Sequence, residues 1–521
     1  MDTVAVGVIV LYLVAATAAG SLMARRTTTS TGWAVAGGGM STVLVAVGIA
    51  GTRIGGAGTY GVAGDVISGG VWNLWWYGIS TFLALSLVGL FFAVYYRRLR
   101  LQTVGEIFTL RWGNRRCQWL TSLCVQTEYL IVNLIEAYVI GVIVSTLTPL
   151  SMFSGVLVSA AIFATYVSLG GLWGTAVTNL IHCAVVLGGL TAVGLLGIDQ
   201  LGGWSGVTEA LAGHLTAASR DVEAWWGFTG AGWLPVFAMI FSAAIHTPAA
   251  SVYTNYAAAA RNERQIAPAF VAAGIIAALM PILAGLIAIL TTARYGLDTG
   301  LTGYRNLTTL ASEISPVVGG VALAAVLAAV ISSGGPILLS SATMFVRDWL
   351  PFTRRYDSAR RLRAYQATTV AYAIVAALAA WVVATRTTIS ILDLLLFGFA
   401  MVVPPAIAVG YLIYWRRTTE RGAYWGMATG YGAGLLWFAL IKVALAAGFS
   451  APADASALYR LLVYCLTVDG EGIDPSYVTT FIPLVVVPLV SRLTTDTSGD
   501  RERFYAMLAG EKPPASSQSK S

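Results

Sequence analysis

Apolar runs of about 20 residues, the length that carries a helix across the hydrocarbon core of a bilayer, recur almost from one end of the chain to the other. They fall at residues 4–24, 41–63, 71–96, 119–147, 153–169, 176–198, 234–258, 267–292, 317–346, 367–385, 390–415, 424–448 and 476–491. So many runs leave little sequence for anything else. The composition agrees: 57% of the residues are hydrophobic and 11% are charged, where a soluble domain carries about 25% charged residues. A water-soluble fold is excluded. In lipid only helices and closed barrels satisfy their own backbone, so an all-α integral membrane protein of about 13 transmembrane helices is expected.

The charges then report orientation. With the N-terminus outside and the runs alternating, 24 of the 31 Lys and Arg residues fall in cytoplasmic loops and the C-terminal tail. Only Arg220, Arg294, Arg305, Arg386 and Arg460 fall outside, and Arg53 and Lys442 lie within runs. That is the asymmetry of the positive-inside rule, so the net charge of +7 reflects topology and not nucleic-acid binding. The first run is expected to be a retained helix, not a cleaved leader: no basic residue precedes it, and Arg25 and Arg26 follow it. The four cysteines show no C-x-x-C spacing. Neither H-E-x-x-H nor G-x-S-x-G occurs, so an enzyme is not expected. A tail this short leaves no room for a signalling domain.

The second run contains the stretch "GTRIGGAGTYG", with seven glycines between Gly48 and Gly64. Its G-x-G-x-x-G spacing matches a dinucleotide fingerprint, but that fingerprint needs a strand before it and an acid roughly 20 residues on. Here the context is a membrane span. Small residues let membrane helices approach closely, yet this many glycines beside an arginine make a poor continuous helix. Irregular backbone at membrane depth survives only where protein buries it or a polar cavity adjoins it. A second interruption, "FSAAIHTPAAS", puts His246 and Pro248 in the middle of the seventh run, five runs later. Corresponding breaks in two halves point to an inverted repeat with a midplane binding site, as in secondary transporters.

At these residues the sequence resembles the sodium/solute symporter family, whose fold is a LeuT-like 5+5 inverted repeat with discontinuous first and sixth core helices. "GTRIGGAGTYGVAG" looks like the family's first core helix, and "YVSLGGLWGTAVTNLIH" is similar to the loop leading into its fifth. "AAAARNERQ" matches the end of the sixth, "AAVISSGGPILLSSATMFVRDW" resembles the eighth, and "PPAIAVGYLIYWRRTTERGAYWGMATG" the tenth–eleventh junction. The resemblance implies this organisation: an extra helix and loop at 1–40, repeat 1 at 41–198, an external loop at 199–233 and repeat 2 at 234–415. Two C-terminal helices follow at 416–495, then a cytoplasmic tail at 496–521 that ends in the disorder-prone "EKPPASSQSKS". The stretches 199–233 and 293–316 are long enough for short interfacial helices.

The resemblance also implies a site. Carried over residue by residue, the sodium ligands are the carbonyls of Gly51, Ile54 and Ala329 and the hydroxyls of Ser332 and Ser333. Neutral oxygens suit a hard cation that must leave again. Serines in membrane helices also bond their own preceding carbonyls, and that reading stands beside the first. Two positions depart from the family pattern: Asn179 where an aspartate is frequent, and Arg53 between the two first-helix carbonyls. The substrate-binding candidates are Arg53, Gly55, Gly56, Asn133, Glu136 and His246. Arg53 is expected to pair with Glu136, and a protonated Glu136 bonded to a neighbouring helix is the alternative. Asp393 and Lys442 receive no role. The expectation is therefore a multi-pass protein of a prokaryotic inner membrane. It would move a small organic solute inward by alternating access, with Na+ as coupling ion. A proton-coupled or sodium-independent transporter of the same fold is the alternative.

Overall fold

The computed structural model describes residues 3–230, 232–297, 305–386, 391–452, 454–496 and 501–511. Among these the chain is helical almost throughout; Met40 and Ala260 form a single parallel bridge. Eleven helices are long and apolar enough to cross a membrane, and the broken segment made of Trp233–Ala249 and Ser251–Ala259 is a twelfth if taken as one span.

The expected count of 13 fails at one place. The runs at 153–169 and 176–198 lie within one 49-residue helix, Met152–Gln200. The loop expected at "SLGGLWG" is a kink at one residue, Gly171, with φ 51° and ψ −151°. A Cβ there would sit 2.7 Å from the Trp33 carbonyl oxygen, so both backbone angle and space call for glycine. The carbonyls near the kink find other donors, as buried backbone must. Ser168 O accepts from Trp33 Nε1 at 3.0 Å and from Gln366 Nε2 at 2.9 Å. Leu169 O accepts from the Thr27 hydroxyl at 2.8 Å.

The chain divides into two compact units. The larger comprises Met1–Thr103, Tyr129–Ala231 and Ser251–Leu395. In it Thr3–Leu22 lies against Met152–Gln200 through glycines: a Cβ on Gly170 or Gly174 would come within 2.5 or 2.9 Å of the Gly20 carbonyl oxygen. Such small residues bring helix backbones together in lipid. Trp33 is fully buried and stacks on Tyr365 at 5.3 Å. Tyr12 Oη meets His182 Nδ1 at 2.7 Å, which satisfies a polar group deep in the span.

The smaller unit comprises Val104–Glu128, Gly232–Ala250 and Leu396–Ser521. Its last two long helices, Glu420–Ala446 and Pro475–Leu493, mesh through residues four apart, one helical turn. Cβ atoms on Gly422, Gly426, Gly430 and Gly434 would meet Ser491, Val487, Pro483 and Thr479 at 2.0, 2.3, 2.6 and 2.4 Å. Arg111, 1% exposed, forms an ion pair with Asp496.

Further differences from the sequence reading lie near the C-terminus. Between those two helices the chain adds a third, Ala457–Thr467, of 11 residues, too short to span. Within the expected tail, Arg501–Ala509 is helical; Phe504 is buried and Tyr505 Oη donates to Leu412 O at 3.0 Å. Residues 512–521, which hold all but the first residue of "EKPPASSQSKS", lie outside the described residues. The 199–233 stretch holds helices Gly203–Ala217 and Val222–Trp226, and Arg305–Ile314 lies in the 293–316 stretch.

Candidate functional site

The first break falls inside the glycine stretch. Thr42–Gly56 runs as a helix until Gly55, whose φ of 51° and ψ of 170° no L side chain adopts without strain. After it the chain winds as a π turn, Ala57–Gly61, and resumes as Val62–Gly69. Space enforces glycine as well. A Cβ on Gly55 would lie 2.8 Å from Glu136 Oε1 and 3.2 Å from Ser333 Oγ, and one on Gly56 would lie 2.9 Å from Glu136 Oε2.

Two groups of oxygens meet at this break. In the first, the Ser332 hydroxyl stands 2.9 Å from Gly51 O and 2.7 Å from Ala329 O. The bond to Ala329 is the local carbonyl contact left open by the sequence; the bond to Gly51 crosses between helices. Three of the five candidate ion ligands are therefore within hydrogen-bond distance of one another. Ile54, 2% exposed, immediately precedes the break. Pro336, inside Pro316–Met344, has no N–H to offer the Ser332 carbonyl one turn earlier. The neighbouring Ile331 carbonyl accepts from Tyr166 Oη at 2.9 Å.

In the second group, Ser333 donates to Glu136 Oε1 and stands 3.3 Å from Val330 O. The Gly56 N–H donates to both Glu136 oxygens, at 3.2 and 3.0 Å. Glu136 is 2% exposed. The expected Arg53–Glu136 pair is thus not what forms: this carboxylate takes its hydrogen bonds from the amide and the hydroxyl. Packing decides the matter, since the break turns the Gly56 N–H toward Glu136. Arg53 is buried, 6% exposed, in the helix before the break. Asn133, one turn before Glu136, donates to Tyr129 O in its own helix at 2.7 Å. Asn179 donates to Gly48 O at 2.9 Å, and the same carbonyl accepts from the Thr52 hydroxyl at 2.7 Å. Asn179 therefore anchors the first half-helix.

The second break has its own chemistry. The span from Trp233 passes into a π turn, Phe241–Ile245, then a 3-10 turn, Thr247–Ala249, and at Ala250 the backbone is extended. His246 Nδ1 lies 2.5 Å from Ser242 O, which requires the proton on Nδ1. The ring stacks on Phe399 at 4.2 Å, and Nε2 faces Glu128 Oε1 at 3.8 Å. Beyond the break, the helix Ser251–Ala259 has its Val252 N–H capped by Tyr129 Oη at 2.7 Å, which satisfies one of the amides a helix start exposes. The sequence singled out His246 but not its partner Glu128, and gave no sign of the Tyr129 cap. Both join residues over a hundred positions apart, and no local pattern marks such contacts.

Among the described residues no three His, Cys, Asp or Glu side chains gather. The donors at the first break are carbonyl, hydroxyl and carboxylate oxygens, the set suited to a hard cation.

Comparisons with known proteins agree with this architecture. The chain is 22% identical over 422 residues to the sodium/glucose cotransporter 1 of Oryctolagus cuniculus, covering 73% of this chain and 62% of that protein. It is 23% identical over 475 residues to solute carrier family 5 member 4 of Rattus norvegicus, covering 83% and 70%. With the uncharacterized symporter YwcA of Bacillus subtilis it shares 25% identity over 182 residues, about a third of either protein (34% and 35%). Among solved structures, a Na+-coupled sialic acid symporter in a substrate-bound outward-open state superposes with a TM-score of 0.73 at 15% identity, covering 95% of this chain and 98% of the other. A nucleobase-cation-symport-1 family transporter in a closed conformation gives 0.54 at 14% identity, covering 92% and 99%. At such identities the structures speak for the fold alone, a LeuT-like inverted repeat. The family model for sodium:solute symporters matches residues 33–430, from just before the first repeat into the helix that follows the second. The chain belongs to the sodium:solute symporter family.

Proposed function

We propose that this protein is a secondary active transporter that brings a small organic solute into the cell by alternating access, driven by sodium. The observation that carries the reading is the Ser332 hydroxyl within reach of both the Gly51 and Ala329 carbonyls, at a helix broken at Gly55. A sodium ion would take the carbonyls of Gly51, Ile54 and Ala329 with the hydroxyls of Ser332 and Ser333. Arg53, Gly55, Gly56 and Asn133 would border the solute, with Glu136 between solute and ion and His246 at the second break. Arg53 and His246 suit a carboxylate-bearing solute, because a guanidinium grips a carboxylate with two parallel bonds. The ion does its work by favouring the solute-competent state over the other. Charge asymmetry puts the N-terminus outside and the C-terminus in the cytoplasm of a cell membrane.

The test needs no known solute. Thermal unfolding of the purified protein is followed in sodium, potassium and choline, for the wild type and for Ser332→Ala and Ser333→Ala. A ligand of the folded state at 100 times its Kd adds about 2.7 kcal/mol, a readily measured rise in Tm. The expected result is a rise specific to sodium that both variants reduce. One observation favours a second reading: Arg53, buried between the two first-helix carbonyl residues, places a permanent cation on the helix that would hold sodium. Solute uptake that follows external pH and ignores sodium would select that reading.

A further inference from the structure

The ion-ligand set inferred from the family is neutral throughout, but the structure does not leave the site neutral. Ser333 turns its hydroxyl to the Glu136 carboxylate, while its neighbour Ser332 turns to Gly51 and Ala329. Two adjacent residues of one helix thus join the carbonyl group to the carboxylate. The carboxylate is also seated on the break itself. Both its oxygens take the Gly56 N–H, and they occupy the space where side chains on Gly55 and Gly56 would stand.

The surroundings of Glu136 differ from those of the other acids paired nearby in sequence or fold. Glu263 has Arg98, Asp496 has Arg111, Glu313 has Arg294 and Glu128 has His246. Glu136, at 2% exposure, has an amide and a hydroxyl. A buried carboxylate held only by neutral donors is costly, because desolvation of the charge is not offset by an opposite charge. A cation resting among Ser332, Ser333 and the Gly51 and Ala329 carbonyls would supply that charge within one side chain's reach.

We propose that Glu136 is the fixed countercharge of the cation site. Its carboxylate sets how tightly the ion is held, and Ser333 is the hinge between them: it donates to Glu136 when the ion is away and turns its oxygen to the ion on arrival. This rests on the sodium-coupled reading above and moves Glu136 from the solute side of the pocket to the ion side. It also explains why the break carries adjacent glycines at 55 and 56, since each is pressed by one oxygen of the same carboxylate.

The full-length protein in detergent is titrated with sodium, lithium, potassium and choline chloride at constant ionic strength, with the shift in Tm as readout, for the wild type and Glu136→Gln. The amide is nearly isosteric and can still accept from Gly56 and Ser333, so it removes the charge and little else. The expected result is an apparent sodium affinity weakened about tenfold or more, with the unfolding midpoint without sodium unchanged or raised, since a buried charge has been removed. Equal sodium affinity in wild type and Glu136→Gln overturns the proposal and leaves the sodium reading standing. A wild type that answers no cation overturns both. A wild type that answers lithium or potassium in place of sodium, with the response weakened by Glu136→Gln, supports the countercharge and rejects sodium as the ion. If Glu136→Gln does not yield folded protein, Glu136→Asp is titrated in its place. It keeps the charge but draws it back by one methylene, so a weakened cation response supports the proposal and an unchanged one overturns it.

Discussion

Residues 55 and 56 show how much one position can decide. The glycine-rich stretch was legible as a helix break because glycine is the residue that frees a helix from its own geometry; Gly55 at φ 51° is that break. What the sequence could not show was the carboxylate lying against it. Glu136 stands eighty residues away, and its partner Ser333 almost two hundred further on. Only packing brings these residues together, so the pairing of Glu136 with Arg53, reasonable from charge alone, gave way to an amide and a hydroxyl. Substituting Gly55→Ala asks for a left-handed conformation, at a cost of about 1–2 kcal/mol, and sets a methyl against Glu136. The expected outcome is a lower Tm together with a reduced sodium response. A loss of stability with the sodium response intact would separate the break from the ion site.

At the scale of elements, period and punctuation revealed most of the helices, but boundaries depended on contacts. The kink at Gly171 was read as a loop between two spans because glycines interrupt the apolar run. The helix continues through it because Trp33, Gln366 and Thr27 bond the carbonyls near the kink. The short Ala457–Thr467 helix was missed for its length, and Arg501–Ala509 because its composition is that of a solvated tail. The paired helices Glu420–Ala446 and Pro475–Leu493 offer a direct test of close approach. A Gly426→Val side chain would enter space held by Val487, 2.3 Å from the added Cβ, and overpacking of this kind costs about 1–3 kcal/mol. Unfolding should begin at a lower temperature in Gly426→Val, while Gly432→Val, where nothing lies within 4 Å of an added Cβ, should unfold as the wild type does.

For the whole molecule, fold class and family were legible because bilayer thickness fixes helix length and because broken helices in membranes are rare and positioned. The solute was not, since its recognition depends on side chains from distant segments meeting in space. Orientation can be tested independently of either. Cysteines placed at the exposed Arg417 and Arg220, in a background with the half-buried Cys465 replaced by serine, should react oppositely with a membrane-impermeant maleimide applied to intact cells. The cysteine at 220 should be labelled and the one at 417 protected. The reverse pattern would invert the topology read from the arginines.

The π turn at Ala57–Gly61 bears on how such a chain can change over time. A π turn holds one residue more than an α turn, so it acts as an insertion absorbed locally. Removing one residue there would restore α winding and rotate everything from Val62 to Gly69 by about 100° about the helix axis. Buried Val62, Ala63 and Val66 would then face new neighbours. The segment after the break is therefore open to exchange of side chains but closed to change of length. Homologues of this chain should keep its spacing here even where they share none of its letters.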